Sequence, residues 1–399
     1  MSTPGPSRPE RAGPGARGPT LRREVAPLLA GYWAFGQYWG MWAILVAEFL
    51  VHQRISESRI GVDYTVLAVT SVVVMLLVAP RLQPLALAAT VPVSLLVLAF
   101  GAALQSLLRG DAVLVAFMVV GIGNALIDVF LNVAAQAVEV RTRRPVLQWM
   151  HACYALGGVT GGLVAGLFLA AGWDFRLGLG WAAAASAIVG IWNARTASTE
   201  RTAEGSGSLL SISAFRRAPM LIVPAFVVLS AFLVEGSMDT WSGLYVRKEL
   251  GASPFTAGIA FSAFAGAVFL GRLFAGKTLF GLGYRRTILV AGVGSAVGGA
   301  IAASTHSPLV AGLAFLLLGF SLASAAPAAF GLIEGSGEDP TNAIAAVTTV
   351  GYSGFIWSPP LLGWVAEAFS LRATMFVVVL ATLGVLAGGI AARNPPATD

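Results

Sequence analysis

Twelve long apolar stretches, separated by short polar breaks, constrain this chain more than any other feature. They run 25–50, 61–79, 84–105, 112–138, 146–171, 175–194, 218–246, 255–275, 287–304, 308–332, 342–368 and 371–392. A helix crossing the hydrocarbon core needs about 20 apolar residues, whereas a barrel strand needs about 10. Backbone polar groups in lipid must be satisfied internally, so stretches of this length read as helices. Charged residues make up only 11% of the 399, against about 25% in soluble domains. So little polar surface cannot cover a soluble fold, and the expectation is an all-α integral membrane protein. Twelve spans leave no room for a second soluble domain.

The charge distribution predicts orientation. Of the 25 Lys and Arg residues, only Arg54, Arg59, Arg109, Arg176, Arg247, Lys248 and Arg372 fall in the odd-numbered loops. Basic residues favour the cytoplasmic side, so both termini are expected there. The net charge of +6 follows from this asymmetry, and no basic stripe with interleaved aromatics points to nucleic acid. Residues 1–20 are rich in Pro, Gly and Arg and read as a disordered tail. The polar stretch 196–217 reads as a cytoplasmic linker between two six-helix halves, 21–195 and 218–393, with 394–399 as a second tail. Span five carries Tyr154, Gly161-Gly162 and Phe175-Arg176; span eleven carries Tyr352, Pro359-Pro360 and Leu371-Arg372 at nearly the same offsets. Such parallel repeats mark one large class of transporters.

Single Cys153 excludes an intramolecular disulfide, and His52, His151 and His306 show no metal-ligand spacing. The loops are too short for a nucleophile–base pair, so no catalytic residue, metal or cofactor is expected. Gly121-Ile-Gly123 follows no strand and is no dinucleotide loop.

Four segments carry a family resemblance. They are Gly121 to Asn132 in span four, Gln148 to Gly158 in span five, Glu235 to Tyr245 in span seven and Gly351 to Gly363 in span eleven. With twelve spans in two halves, the chain resembles the major facilitator superfamily, and within it the bacterial fucose-permease-like branch. The resemblance implies the major facilitator fold, the cytoplasmic membrane of a bacterium and alternating access to a small-molecule substrate. It also implies a cytoplasmic gate motif after span eight, carried here by Gly271, Arg272, Lys277, Arg285 and Arg286. Gly276 stands where the motif has an acidic residue, and the matching loop after span two shrinks to Pro80–Pro84. The fucose permease uses carboxylates in its first and fourth spans; span one here has only Gln37 centrally, with Glu48 near its outer end.

Asn124, Asp128, Asn132 and Gln136 recur every four residues and share one stripe of span four. A charge near mid-bilayer costs at least about 2.5–3.5 kcal/mol, so Asp128 must face the bundle interior or a wet cavity. It is either a proton-coupling carboxylate, since desolvation favours neutral carboxyls, or a hydrogen-bonded link between helices. Glu235 is a second proton site, a hydroxyl acceptor or a helix–helix link. Asp239, one turn further out, binds substrate or sits in the outer vestibule. Trp241 and Tyr245 read as interfacial belt aromatics. Gln148, His151 and Tyr154 share a face of span five; His151 relays protons or binds substrate, or makes one fixed structural hydrogen bond. In crowded span one, Gln37 with Tyr38 is the preferred substrate pair, the alternative being packing; in span eleven Tyr352 is preferred over Trp357.

The expected function is proton-coupled uptake of a small polar solute such as a sugar, by a monomer in the lipid bilayer. Proton-driven efflux of an amphipathic compound and a non-transporting sensor stay open.

Overall fold

The computed structural model describes residues 19–82, 85–196 and 213–393, which are almost entirely helical. The expected tails and most of the expected linker lie outside the described residues. Among the described residues, ten helical stretches are long and apolar enough to cross a membrane. In the first half these are α1 (Pro19–Gln53), α2 (Glu57–Leu82), α3 (Leu87–Leu107), α4 (Gly110–Thr142), α5 (Val146–Ala170) and α6 (Phe175–Thr196). The second half begins with α7 (Pro219–Glu249).

The next stretch, Pro254–Ser304, has 51 residues, about twice what a bilayer needs. It breaks at Gly283, whose φ of 74° is open to glycine. The two arms, α8 (254–282) and α9 (284–304), are separate crossings. Then follow α10 (Pro308–Gly335), α11 (Pro340–Ala368) and α12 (Leu371–Ala391). With α11, less apolar for its Thr, Ser and Pro residues, the crossings among the described residues come to twelve.

Helix starts follow from local chemistry. Ser56, Ser253, Ser307, Asp339 and Ser370 each accept a backbone N–H at the start of α2, α8, α10, α11 and α12. Proline at the first position of α8, α10 and α11 costs no hydrogen bond there. Beside the start of α7, Arg217 donates Nε and Nη2 to both carboxylate oxygens of Glu338 at 2.7 and 2.9 Å. This pairing holds the Glu338 carboxyl below the usual range.

The two halves pack alike. In the first, α1 lies against α5 and α6, and α2 against α4; in the second, α7 lies against α11 and α12. Gly271 brings α8 onto α10, and Gly292 and Gly389 bring α9 onto α12. Without a hydrophobic drive between helices in lipid, close backbone approach through small residues takes its place. A Cβ at Gly36 would lie 1.9 Å from the Tyr154 carbonyl oxygen, and one at Gly161 would lie 2.3 Å from that of Gln37.

Between halves the same device works at one end only. Gly243 of α7 meets Ala43 of α1, Gly61 of α2 meets Gly363 of α11, and Gly258 of α8 meets Gly162 of α5. These seams lie toward the end where α1, α7 and α11 finish, remote from both termini. Polar contacts cluster there too. Arg247 pairs with Glu48, Lys248 Nζ with Glu57 at 2.8 Å, and the Ser58 N–H donates to Glu367 Oε2 at 3.0 Å.

Glycine packing makes a testable distinction. Gly161→Ala should cost about 1–3 kcal/mol, read as a lower thermal midpoint in detergent. Gly180→Ala, on an exposed face with nothing within 4 Å, should be neutral or gain up to about 1 kcal/mol.

Candidate functional site

A cavity of about 250 Å³ lies between the halves, lined by α1, α2, α4, α5, α7, α8 and α11. His151, one turn into α5, lines it and is solvent-exposed, so the cavity opens toward the end that holds the termini. Its walls are mostly apolar and aromatic. From α1 come Tyr32, Phe35 and Trp39, spaced three and four apart and therefore on one stripe. Phe232 of α7 and Phe355 of α11 pack on the opposite wall with ring centroids 4.9 Å apart and planes tilted by 35°.

Ionisable groups sit in this apolar frame. Asp128 of α4 accepts from Asn132 Nδ2 at 3.2 Å, and its other side-chain partner is the Tyr352 hydroxyl, from α11 in the other half. Asn124, one turn away, accepts the Trp39 indole N–H at 3.3 Å. On the facing wall, Arg272 Nη2 of α8 donates to both oxygens of Glu235 at 3.0 and 2.9 Å. Asp239 lies one helical turn along from Glu235, and a narrow extension of the cavity reaches from this cluster to Phe261 and Phe264. Tyr154 stands between the two groups, within electrostatic reach of Asp128, Glu235, Asp239 and Arg272. The Tyr32 and His151 rings meet edge to face at 5.4 Å.

The structure thus brings Asn124, Asp128, His151, Tyr154, Glu235, Asp239 and Tyr352 to one cavity. Several expectations need correction. Gln37 and Tyr38 are each 1% exposed and face away from the cavity. Gln37 is locked against α5 by the glycine seam, and Tyr38 donates to Gln105 Oε1 at 2.9 Å. The α1 face that meets the cavity is offset from them. Asn132 supports Asp128 and does not line the cavity.

The motif after span eight is also placed differently. Gly271 and Arg272 lie within α8, where Gly271 packs against Ala323 and Phe320 of α10 and Arg272 joins the central cluster. Lys277 continues the helix over the Phe274 ring, and only Arg285 and Arg286 follow the break at Gly283. An arginine this deep needs an acid, and Glu235 supplies it. Trp241 and Tyr245 are buried core residues and not belt aromatics; Tyr245 donates to the Ala302 carbonyl at 2.8 Å. Trp357 is 64% exposed on the outer face, so Tyr352 is the cavity aromatic of α11. Tyr32, Phe35 and Trp39 are among the aromatics that crowd span one in the sequence, but the preference for Gln37 and Tyr38 passed them over, although their spacing was available as a signal.

Comparison with known proteins fits this architecture. The family model described as Major Facilitator Superfamily matches residues 28–359. The chain belongs to the major facilitator superfamily. An uncharacterised MFS-type transporter of Yersinia pestis is 29% identical over 374 residues, covering 92% of this chain and 95% of the relative. Among solved structures, the nucleoside transporter NupG (D323A mutant) superposes with a TM-score of 0.74 at 15% identity, covering 92% of this chain and 99% of NupG. A D-xylose-proton symporter gives 0.72 at 15% identity, covering 95% and 98%. As a major facilitator protein, this chain is a multi-pass bacterial membrane transporter, and its central cavity lies where the halves meet.

The Arg272–Glu235 pair yields a prediction. Removing one partner strands a charge, whereas removing both does not. Arg272→Gln should cost up to about 3 kcal/mol, and the double variant Arg272→Gln/Glu235→Gln should recover much of that loss in a thermal-unfolding cycle.

Proposed function

We propose that this protein is a proton-coupled secondary transporter that takes up a small polar solute, such as a sugar, by alternating access. The observation that carries this reading is Asp128, a carboxyl in the central cavity facing Tyr352 of the other half. A proton on Asp128 changes what Tyr352, Asn132 and a bound hydroxyl can donate or accept. Proton occupancy is thereby linked to the contact between halves. The carboxyl is a hydrogen-bond donor when protonated and an acceptor only when ionised.

With the termini in the cytoplasm, as the basic residues favour, the described conformation is closed outside and open inside. Substrate then binds among Tyr32, Trp39, Asn124, His151, Tyr154 and Tyr352, with Glu235 and Asp239 on the second-half wall. Rocking of one half against the other exchanges access. The names of the solved neighbours, a nucleoside transporter and a xylose-proton symporter, are in keeping with a hydroxylated solute and a driving proton. The apolar share of the walls favours a second reading, proton-driven efflux of an amphipathic compound. The cavity of about 250 Å³ is, however, below the usual 300–1,000 Å³ or so of sites for drug-sized ligands.

Reconstituted into proteoliposomes, Asp128→Asn should abolish uphill accumulation driven by a proton gradient while sparing counterflow exchange. Accumulation at the wild-type level in that variant would remove Asp128 from coupling.

A further inference from the structure

Outside the cavity, one cation stands on a lipid-facing stripe. Leu270, Phe274, Lys277 and Phe280 are exposed and lie four, three and three residues apart along α8, so they share one outward face. Phe280 is 99% exposed. Phe274 pairs with the exposed Phe320 of α10 at a centroid separation of 6.3 Å, and Lys277 Nζ lies 5.8 Å from the centre of its ring. Lipid covers such a face of a spanning helix, and a lysine on it is costly unless its stem reaches the headgroups. The length of α8 sets that depth. From Pro254 to Lys277 the helix rises about 35 Å, slightly more than the hydrocarbon core of about 30 Å. Lys277 therefore emerges at headgroup level, at the end that holds the termini. More positive charge meets it there. Helix α9 follows the break at Gly283 with no intervening loop, which brings Arg285 and Arg286 to the same level. Glu334 of α10 reaches this corner by accepting the Tyr284 hydroxyl at 3.1 Å, one acid against three basic residues. Among the described residues, neither Lys277 nor Arg286 makes an ion pair. Next to Lys277 stands Gly276, where the family motif has an acid, and a Cβ there would meet nothing within 4 Å. A carboxylate at that position would repel an anion; the glycine leaves open space.

We propose that the α8–α9 junction is a binding site for an anionic phospholipid. Lys277 meets the headgroup phosphate, Arg285 and Arg286 add to the positive field around it, and the aromatic face of Phe274 and Phe320 takes an acyl chain. A zwitterionic headgroup carries its own cation beside the phosphate and gains less from a positive corner. A free phosphate ion meets the charges but leaves the aromatic face to other lipids. Arg272 lies five residues before Lys277 on the same helix, so this lipid sits at the end of the helix that supplies the cavity with its guanidinium.

The test titrates the delipidated full chain in detergent with phosphatidylglycerol or phosphatidylcholine of identical acyl chains, read by native mass spectrometry and thermal shift. Phosphatidylglycerol should bind at least about fivefold more tightly, the contribution of one basic residue near an anionic surface. The double variant Lys277→Gln/Arg286→Gln should lose that preference and keep its affinity for phosphatidylcholine. Arg195→Gln, at an exposed arginine on the same end of α6, should leave both affinities unchanged. Glycerol phosphate, which has the charge without the chains, should not compete. Equal binding of the two lipids by the wild-type chain overturns the inference, and that comparison decides alone if the double variant does not fold. An equal loss in Arg195→Gln shows diffuse attraction to the whole basic end and overturns the site. Competition by glycerol phosphate as strong as that of the lipid overturns it in favour of a free-anion site. All of these outcomes are separate from the Asp128 flux test.

Discussion

Hydrocarbon does not hydrate charge, and that single fact organises the interior of this protein. Each ionisable side chain between the membrane faces must reach water or a partner, because the alternative costs several kcal/mol. Arg272 reaches Glu235 across two helices, and Asp128 reaches Asn132 and Tyr352. These requirements fix which faces of α4, α7, α8 and α11 turn inward, and so they fix where the cavity lies. The helices around it then approach as closely as glycine permits. The seams at Gly36, Gly157 and Gly161 hold α1 on α5 and present the stripe of Tyr32, Phe35 and Trp39 to the cavity.

Much of this was legible in the sequence. The spans followed from length and hydropathy, and the two-half organisation from the long polar stretch after span six, supported by the repeated offsets of spans five and eleven. Asp128 was legible for a physical reason: a lone carboxyl in the middle of an apolar run has few places to go. Gln37 misled because the same argument is weaker for an amide. It carries no charge, and a buried position on the packed side of α1 suffices. The rotation of α1 depended on its contact with α5, set by backbone-to-backbone distances that no single span records. Arg272 was hidden by its position in a sequence motif. Its membership of the cavity follows from its distance along α8 and from the acid on α7, which only the packed structure brings together. The long helix through Gly283 hid the boundary between α8 and α9, since a single residue with positive φ replaces a loop.

The two ends of the molecule use different physics. Near the termini the cavity opens, and the exposed His151 marks its mouth. At the far end, glycine seams exclude water, and ionic contacts tie α1 and α2 to α7. Partly exposed ion pairs are individually worth little, about 1 kcal/mol or less. Closure there rests on the packed backbones, and the charges set the register in which those backbones meet.

The last turn of α7, Tyr245–Glu249, is a π-helix, a wider turn that fans out consecutive side chains. Three neighbours in it hold three different helices: Arg247 takes Glu48 of α1, Lys248 takes Glu57 of α2, and Glu249 takes Arg372 of α12. Two of these ties cross between halves and one stays within its own. Three consecutive residues of one short turn thus carry both the ties that join the halves and the tie that anchors α12, so the contact between halves and the packing within the second share a single piece of backbone.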